Sequence, residues 1–151
     1  MSNNFLDLIH KRRTIYAIGR NVNQSPEHLT DLIQQAIKQS PSSFNSQSSR
    51  AVILFNAEHE KFWNFVKVQL KAYAKDEASA LKTETKMDSF IAGFGTVLFF
   101  EDLEVIQNLQ EKFPAYAENF PIWAEHSTAI AQFSTWTALN SDGIGASLQH
   151  Y

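Results

Sequence analysis

Cysteine is absent from the 151 residues. That removes disulfides, thiolate nucleophiles, Cys-ligated zinc and iron–sulfur clusters together, and it fits a cytoplasmic chain without requiring one. Glycine and proline are scarce, five and four, too few for a loop-dominated protein, and no repeat, low-complexity tract or Gly/Ser linker interrupts the chain. The opening Met-Ser-Asn-Asn-Phe-Leu-Asp has neither the basic region nor the apolar stretch of a signal peptide, and no apolar run approaches the roughly 20 residues that span a bilayer. Standard catalytic signatures are also missing: no G-x-S-x-G elbow, no phosphate loop ending in Gly-Lys, no H-E-x-x-H, and no G-x-G-x-x-G, since Gly143-Ile144-Gly145 lacks the third glycine. Excess positive charge is absent too. Thirteen Lys and Arg stand against 16 Asp and Glu, and a net charge of −3 argues against nucleic acid or an anionic membrane as partner.

What the chain has is apolar material, 44% hydrophobic and 13% aromatic, enough for one sizeable core and too short for two ordinary domains. The pattern is mostly helical. Asn3 or Asn4 can cap a first helix with Phe5, Leu8 and Ile9 on one face, ending in His10-Lys11-Arg12-Arg13. Ser25-Pro26-Glu27 opens a second, whose stripe Leu29, Leu32, Ile33, Ala36 and Ile37 is the strongest periodic signal, and Pro41 stops it. Residues 40–49 read as a polar loop, and Ala51 to Phe55 as a strand covered on both faces. A helix through Phe62, Phe65, Val66, Leu70 and Tyr73 is expected to carry Lys67, Lys71 and Lys75 outward, and residues 76–89 read as a solvated helix or a mobile connection. Gly95 to Phe100 is a second buried strand, Val105 to Phe113 a short helix, and Glu125 to Leu139 a helix buried nearly all round. After Gly143, residues 146–151 look like the start of another strand.

The five histidines are scattered, and Glu58-His59-Glu60 at a helix start reads as a surface cluster suited to the helix dipole, so no metal site is expected. The arginines are not scattered. Arg12, Arg13, Arg20 and Arg50 all lie in the first third, and three of them flank the stretches Arg12-Arg13-Thr14 and Ser42 to Arg50, which are rich in hydroxyls and amides. Guanidinium groups fit phosphate bidentately and Ser, Thr and Asn orient polyhydroxylated ligands, so a phosphorylated cofactor could sit between the two stretches. Equally, Lys11 to Arg13 are ordinary cations for a helix C-terminus, and the serines an ordinary loop.

Four segments, Lys11 to Tyr16, Ser40 to Arg50, Gly95 to Asp102 and Gly143 to Tyr151, together resemble the FMN-dependent nitroreductase superfamily, within it the branch similar to the fatty-acid-repression mutant of bacteria and yeasts. The resemblance runs the whole length in order. It implies an α+β fold, a small central sheet surrounded by helices, as one FMN-binding domain over residues 1–151 that lacks the family's C-terminal part. Arg12 and Arg13 resemble the basic pair that clamps the FMN phosphate and reaches the N1–C2=O side of the ring, with Thr14 as hydroxyl contact. Pro41, Ser42, Ser43, Asn45 and Gln47 resemble the loop that borders the ring and ribityl chain from a partner subunit, which implies a homodimer. Leu148, Gln149 and His150 resemble the segment covering one ring face, with a backbone N–H toward N5. The family's usual third basic residue is Tyr16 here, and its Pro-Trp after the glutamine is Ser48-Ser49, so phosphate contacts are fewer or come from elsewhere.

No side chain is expected to be a catalytic acid, because the flavin carries the redox chemistry. The activity implied is ping-pong transfer of electrons from NADH or NADPH to nitroaromatics, quinones or similar small planar electrophiles, in an aromatic pocket to which Phe90, Phe94, Tyr116, Phe120 and Trp123 could contribute. The alternatives are a flavin-binding redox-stress or lipid-response protein without turnover, and an interaction domain with no ligand.

Overall fold

The structure, a computed structural model, describes residues 4–150. Among the described residues six helices pack around a two-stranded antiparallel sheet that keeps one face partly open, so the α+β expectation holds. The chain runs α1 (Asn4–Lys11), α2 (Pro26–Lys38), β1 (Ser49–Phe55), α3 (Asn56–Lys71), α4 (Glu77–Ile91), β2 (Gly95–Glu101), α5 (Leu103–Lys112) and α6 (Phe120–Ser141), with short 3-10 turns at Ser43–Asn45 and Pro114–Tyr116.

Helix starts follow their caps. Ser25 accepts a hydrogen bond from the His28 N–H at 3.2 Å with Pro26 at the first helical position, as its sequence indicates. Of the two readings of residues 76–89 the structure shows the helix, mostly exposed but with one buried edge. Asp76 and Ser79 form a reciprocal capping box that starts α4, and Met87 and Phe90 are buried against Trp63 of α3. Lys67 consequently does not face outward: its ammonium sits 2.7 Å from Asp88 and 3.1 Å from Glu84, across the α3–α4 seam. Asp102 caps α5, whose Ile106 packs on Phe120 and Ala124 of α6.

The sheet pairs Ser49 with Glu101 and Phe55 with Gly95. It is not covered on both faces, since Val52 and Phe100 are about half exposed. Gly95 is required where β2 begins beside the end of β1, since a Cβ there would lie 2.8 Å from the Leu54 carbonyl oxygen. Below the sheet Ser48 and Thr128 both donate to the Glu101 carboxylate, and Ser49 bonds Thr128, tying β1, β2 and α6 in one knot.

Helix α6 is the spine, with α2 packed along it and α1, α5 and the sheet against it. It begins at Phe120, before the expected Glu125, because Pro121 fits the first turn of a helix. Nor is it buried all round, for Ile122, Ile130 and Phe133 are exposed on one face. Gly143 follows it at φ 81°, the left-handed conformation that glycine adopts at low cost. Beyond it, the expected strand is reduced to one parallel bridge between Ala146 and Thr14; residues 147–150 form no ladder. Asn3 and Tyr151, invoked for the first cap and the last strand, lie outside the described residues.

Candidate functional site

Arg12 stands where α1 ends, its N–H bonded to the Leu8 carbonyl at 3.0 Å. From there its guanidinium lies over the rings of two α6 residues, 4.1 Å from the centre of Trp136 and 5.7 Å from that of Phe133. Its Nε is buried without a hydrogen-bond partner. Arg13 and Thr14 are exposed beside it. The other two arginines are engaged: Arg20 reaches Glu60 at 2.6 Å, and Arg50 reaches Asp102 at 2.7 Å and the Gln47 carbonyl at 2.8 Å. Arg50 is thereby a brace of the loop end. Among the described residues neither Arg12 nor Arg13 has a carboxylate partner. Two adjacent cations without an internal counter-charge, one held flat by aromatic faces, form an anion-ready pair.

The loop after Pro41 is a tight coil. Asn45 N–H donates to the Ser42 carbonyl at 2.9 Å, Ser46 N–H to the Ser43 carbonyl at 3.0 Å, and Gln47 N–H to the Ser42 hydroxyl at 3.0 Å. The Gln47 amide donates to Asn45 Oδ1 at 3.1 Å, so Asn45 keeps its own NH2 donors turned to no internal acceptor. Outside the coil, Ser43 N–H donates at 3.2 Å to Ser127 of α6.

Residues 12–14 and 146–150 are brought together, because Ile15 N–H donates to the Ala146 carbonyl at 3.0 Å next to the Thr14–Ala146 bridge. The serine loop is not brought to them within one chain. It meets α6 at Ser127 whereas Arg12 meets it at Trp136, and nine residues of helix separate those points by about 13 Å along the axis.

Leu148, Gln149 and His150 line a cleft of about 830 Å³ whose far wall is β2. Its floor holds what the sequence did not reveal. His59 is buried, not on the surface, and its Nδ1 lies 2.7 Å from the Thr96 hydroxyl, which also accepts from Trp63 Nε1 at 2.8 Å. The Thr96 oxygen thus joins the imidazole to the indole, and His59 Nε2 is buried with no hydrogen-bond partner among the described residues. Burial pushes the His59 pKa down; the Ile91 and Phe90 carbonyls oppose this, Arg20 adds to it, and Glu60 opposes it. Burial thus favours the neutral imidazole. Only a distant partner, Thr96, could have marked it in the sequence. Of the aromatics expected in a pocket, Phe90 and Phe94 line this cleft, whereas Tyr116, Phe120 and Trp123 gather around Phe44 of the loop. Among the described residues no cluster of three or more His, Asp or Glu could hold a metal ion.

The family model described as the nitroreductase family matches residues 9–151. The chain belongs to the nitroreductase family. It is 35% identical over 151 residues to nitroreductase FRM2 of Saccharomyces cerevisiae, covering 98% of this chain and 74% of that protein. Among solved structures, nitroreductase CinD from Lactococcus lactis in complex with chloramphenicol is 43% identical, with a TM-score of 0.85 over 97% of this chain and 74% of the other. At 18% identity, a protein of Desulfovibrio desulfuricans solved in complex with FMN shares the fold, with a TM-score of 0.65 over 96% of this chain and 67% of that one. The fold is thus nitroreductase-like and the chemistry that of a nitroreductase-type oxidoreductase.

Proposed function

We propose that the chain is an FMN-dependent NAD(P)H oxidoreductase of the cytoplasm, acting as a homodimer and reducing nitroaromatics, quinones or similar planar electrophiles by a ping-pong mechanism. The observation that carries this is the pair Arg12 and Arg13, the two arginines left without a carboxylate while Arg20 and Arg50 are paired. The orphaned, buried Nε of Arg12 fits the same reading, since a buried donor normally has an acceptor.

In this reading Arg12, Arg13 and Thr14 hold the phosphate by charge-assisted hydrogen bonds, and the positive charge favours the side of the ring on which negative charge gathers. Pro41, Ser42, Ser43, Asn45 and Gln47 come from the second subunit. The roughly 13 Å offset along α6 is the reason for that assignment. Exposed Ile122, Ile130 and Phe133 on the same helix supply apolar surface for the pairing. Leu148, Gln149 and His150 cover one face of the ring and leave the other to substrate. FMN supplies the redox chemistry when bound; the protein orients it, tunes it electrostatically and excludes water. Chloramphenicol and 4-nitrophenol, with which CinD was crystallised, are the first electrophiles to offer.

The test is anaerobic mixing of the FMN-loaded protein with NADH or NADPH. Loss of the oxidised-flavin absorbance within seconds, and its return on adding 4-nitrophenol or a quinone, is expected. Flavin that stays oxidised contradicts turnover and favours the non-catalytic flavin sensor.

A further inference from the structure

Phe44 is the one large apolar residue in the otherwise polar run of residues 40–49. It adopts φ 56° and ψ 20°, a left-handed conformation that is costly for a bulky side chain and persists only where the surroundings over-determine it. Asn45 and Gln47 follow at φ 51° and 50°. Phe44 is half exposed, and what holds it is a group of rings packed against its other side. Its centroid lies 5.1 Å from Phe113, 5.2 Å from Phe120, 5.9 Å from Tyr116 and 5.8 Å from Trp123, the last stacked at 15°. These rings belong to the end of α5, the 3-10 turn after it and the first turn of α6, and Phe120 is itself buried.

The hydrogen bonds of the coil are internal and do not attach it to anything. The backbone N–H groups of Asn45, Ser46 and Gln47 donate to Ser42 and Ser43, and the Gln47 side chain donates to Asn45. External fastening comes from the Ser43–Ser127 bond, from Arg50 on the Gln47 carbonyl, and from the Phe44 ring. The ring is the apolar one of the three, and Phe44 lies between Ser43 and Asn45, which the proposed function assigns to FMN.

We infer that Phe44 is a positioning residue: its ring, docked among Phe113, Tyr116, Phe120 and Trp123, holds the 41–47 loop in its left-handed conformation and so pre-organises Ser43 and Asn45 for FMN. The loop half of this stands on the ring contacts; the FMN half rests on the proposed function above. Losing the ring frees the coil from the rings of residues 113–123, so that its internal hydrogen bonds open more often.

The experiment compares Phe44→Ala, Phe44→Gly and Phe44→Tyr in the full chain, by amide hydrogen exchange without flavin and by FMN titration. Ala is expected to accelerate exchange at Asn45, Ser46 and Gln47 by about tenfold while β1 and the centre of α6 stay unchanged. FMN affinity is expected to fall by about tenfold. Gly, which accepts a left-handed φ freely, is expected to behave like Ala, and Tyr, which keeps the ring, like wild type. Unchanged exchange in Ala and Gly, a Gly variant indistinguishable from wild type, or faster exchange with unchanged FMN affinity overturns the inference. Should Ala fail to fold, Phe44→Leu is read in its place against the same criteria. A wild-type chain that binds no FMN defeats the proposed function and the positioning claim with it, while the exchange data still decide the ring's hold on the loop.

Discussion

The guanidinium of Arg12 lies 4.1 Å from the ring centre of Trp136, and this stacking fixes the arginine without neutralising it. A carboxylate partner would have consumed the same nitrogens that a phosphate needs. An aromatic face leaves the planar edge of the fork available, because the ring takes the guanidinium's face and not its N–H groups.

Replacing either arginine is therefore expected to weaken FMN binding by about 1.5–3 kcal/mol, roughly ten- to a hundredfold, as for loss of one charge-assisted hydrogen bond. Flavin titration of Arg12→Ala and Arg13→Ala measures it. Arg12→Lys, which keeps the charge but loses the flat stacking surface, is expected to fall between wild type and Arg12→Ala. Unchanged affinity in both alanine variants removes the phosphate-clamp assignment.

Asn45→Ala is expected to lower FMN retention or the rate of flavin reduction while leaving the fold intact, with a small fall in melting temperature because Ala adopts a φ of 51° less readily than Asn. The residue is exposed, and among the described residues its only side-chain hydrogen bond is the one its oxygen accepts from Gln47. A large drop in thermal stability with normal activity per folded molecule would make Asn45 structural instead.

Much of this arrangement was legible in the sequence, and the failures have physical causes. Ser25 and Pro26 announced α2 because a cap and a first-turn proline act locally. The capping box at Asp76 was harder to see, because Ser79 takes the place of the usual Glu or Gln, and the segment's charges suggested a solvated connection. His59 was read as surface because Glu58 and Glu60 flank it, whereas its environment is set by Thr96, 37 residues away. Arg12, Arg13 and Thr14 were visible as a cluster, yet nothing local distinguishes Arg50, which pairs with Asp102 across the sheet, from a free cation. Nothing local marks Phe44, since the rings around it come from 69 to 79 residues further on.

His59 gives the fold a dependence on pH. Burial lowers its pKa in the folded state below the usual value of about 6.5, so between those two values the unfolded chain binds more protons. Stability is therefore complete above that usual value and declines as pH falls below it. Urea midpoints measured across this range are expected to drop on the acid side, and His59→Gln, which does not titrate, is expected to flatten that part of the curve. Identical slopes in the two proteins would show that other groups govern acid sensitivity.

Removing the Glu101 carboxylate is expected to destabilise the chain by about 1–3 kcal/mol, because a buried hydroxyl is left without its acceptor. Ser48 is fully buried and donates to Glu101 at 2.8 Å, and Thr128 donates to the other oxygen. Denaturant unfolding of Glu101→Ala measures this, and Glu101→Gln, which retains one acceptor oxygen, is expected to lose less. An unchanged midpoint would mean that water replaces the carboxylate at no cost.

The central claim is that Arg12 and Arg13 exist to bind the phosphate of a flavin. Titrating the same protein with FMN and with riboflavin, which has the same ring and no phosphate, isolates that claim in one comparison. FMN is expected to bind at least about tenfold more tightly than riboflavin, with the difference shrinking toward zero in the Arg12→Ala, Arg13→Ala double variant. Equal affinities for the two flavins in the wild-type chain, or a preference for FMN that survives the loss of both arginines, would contradict it.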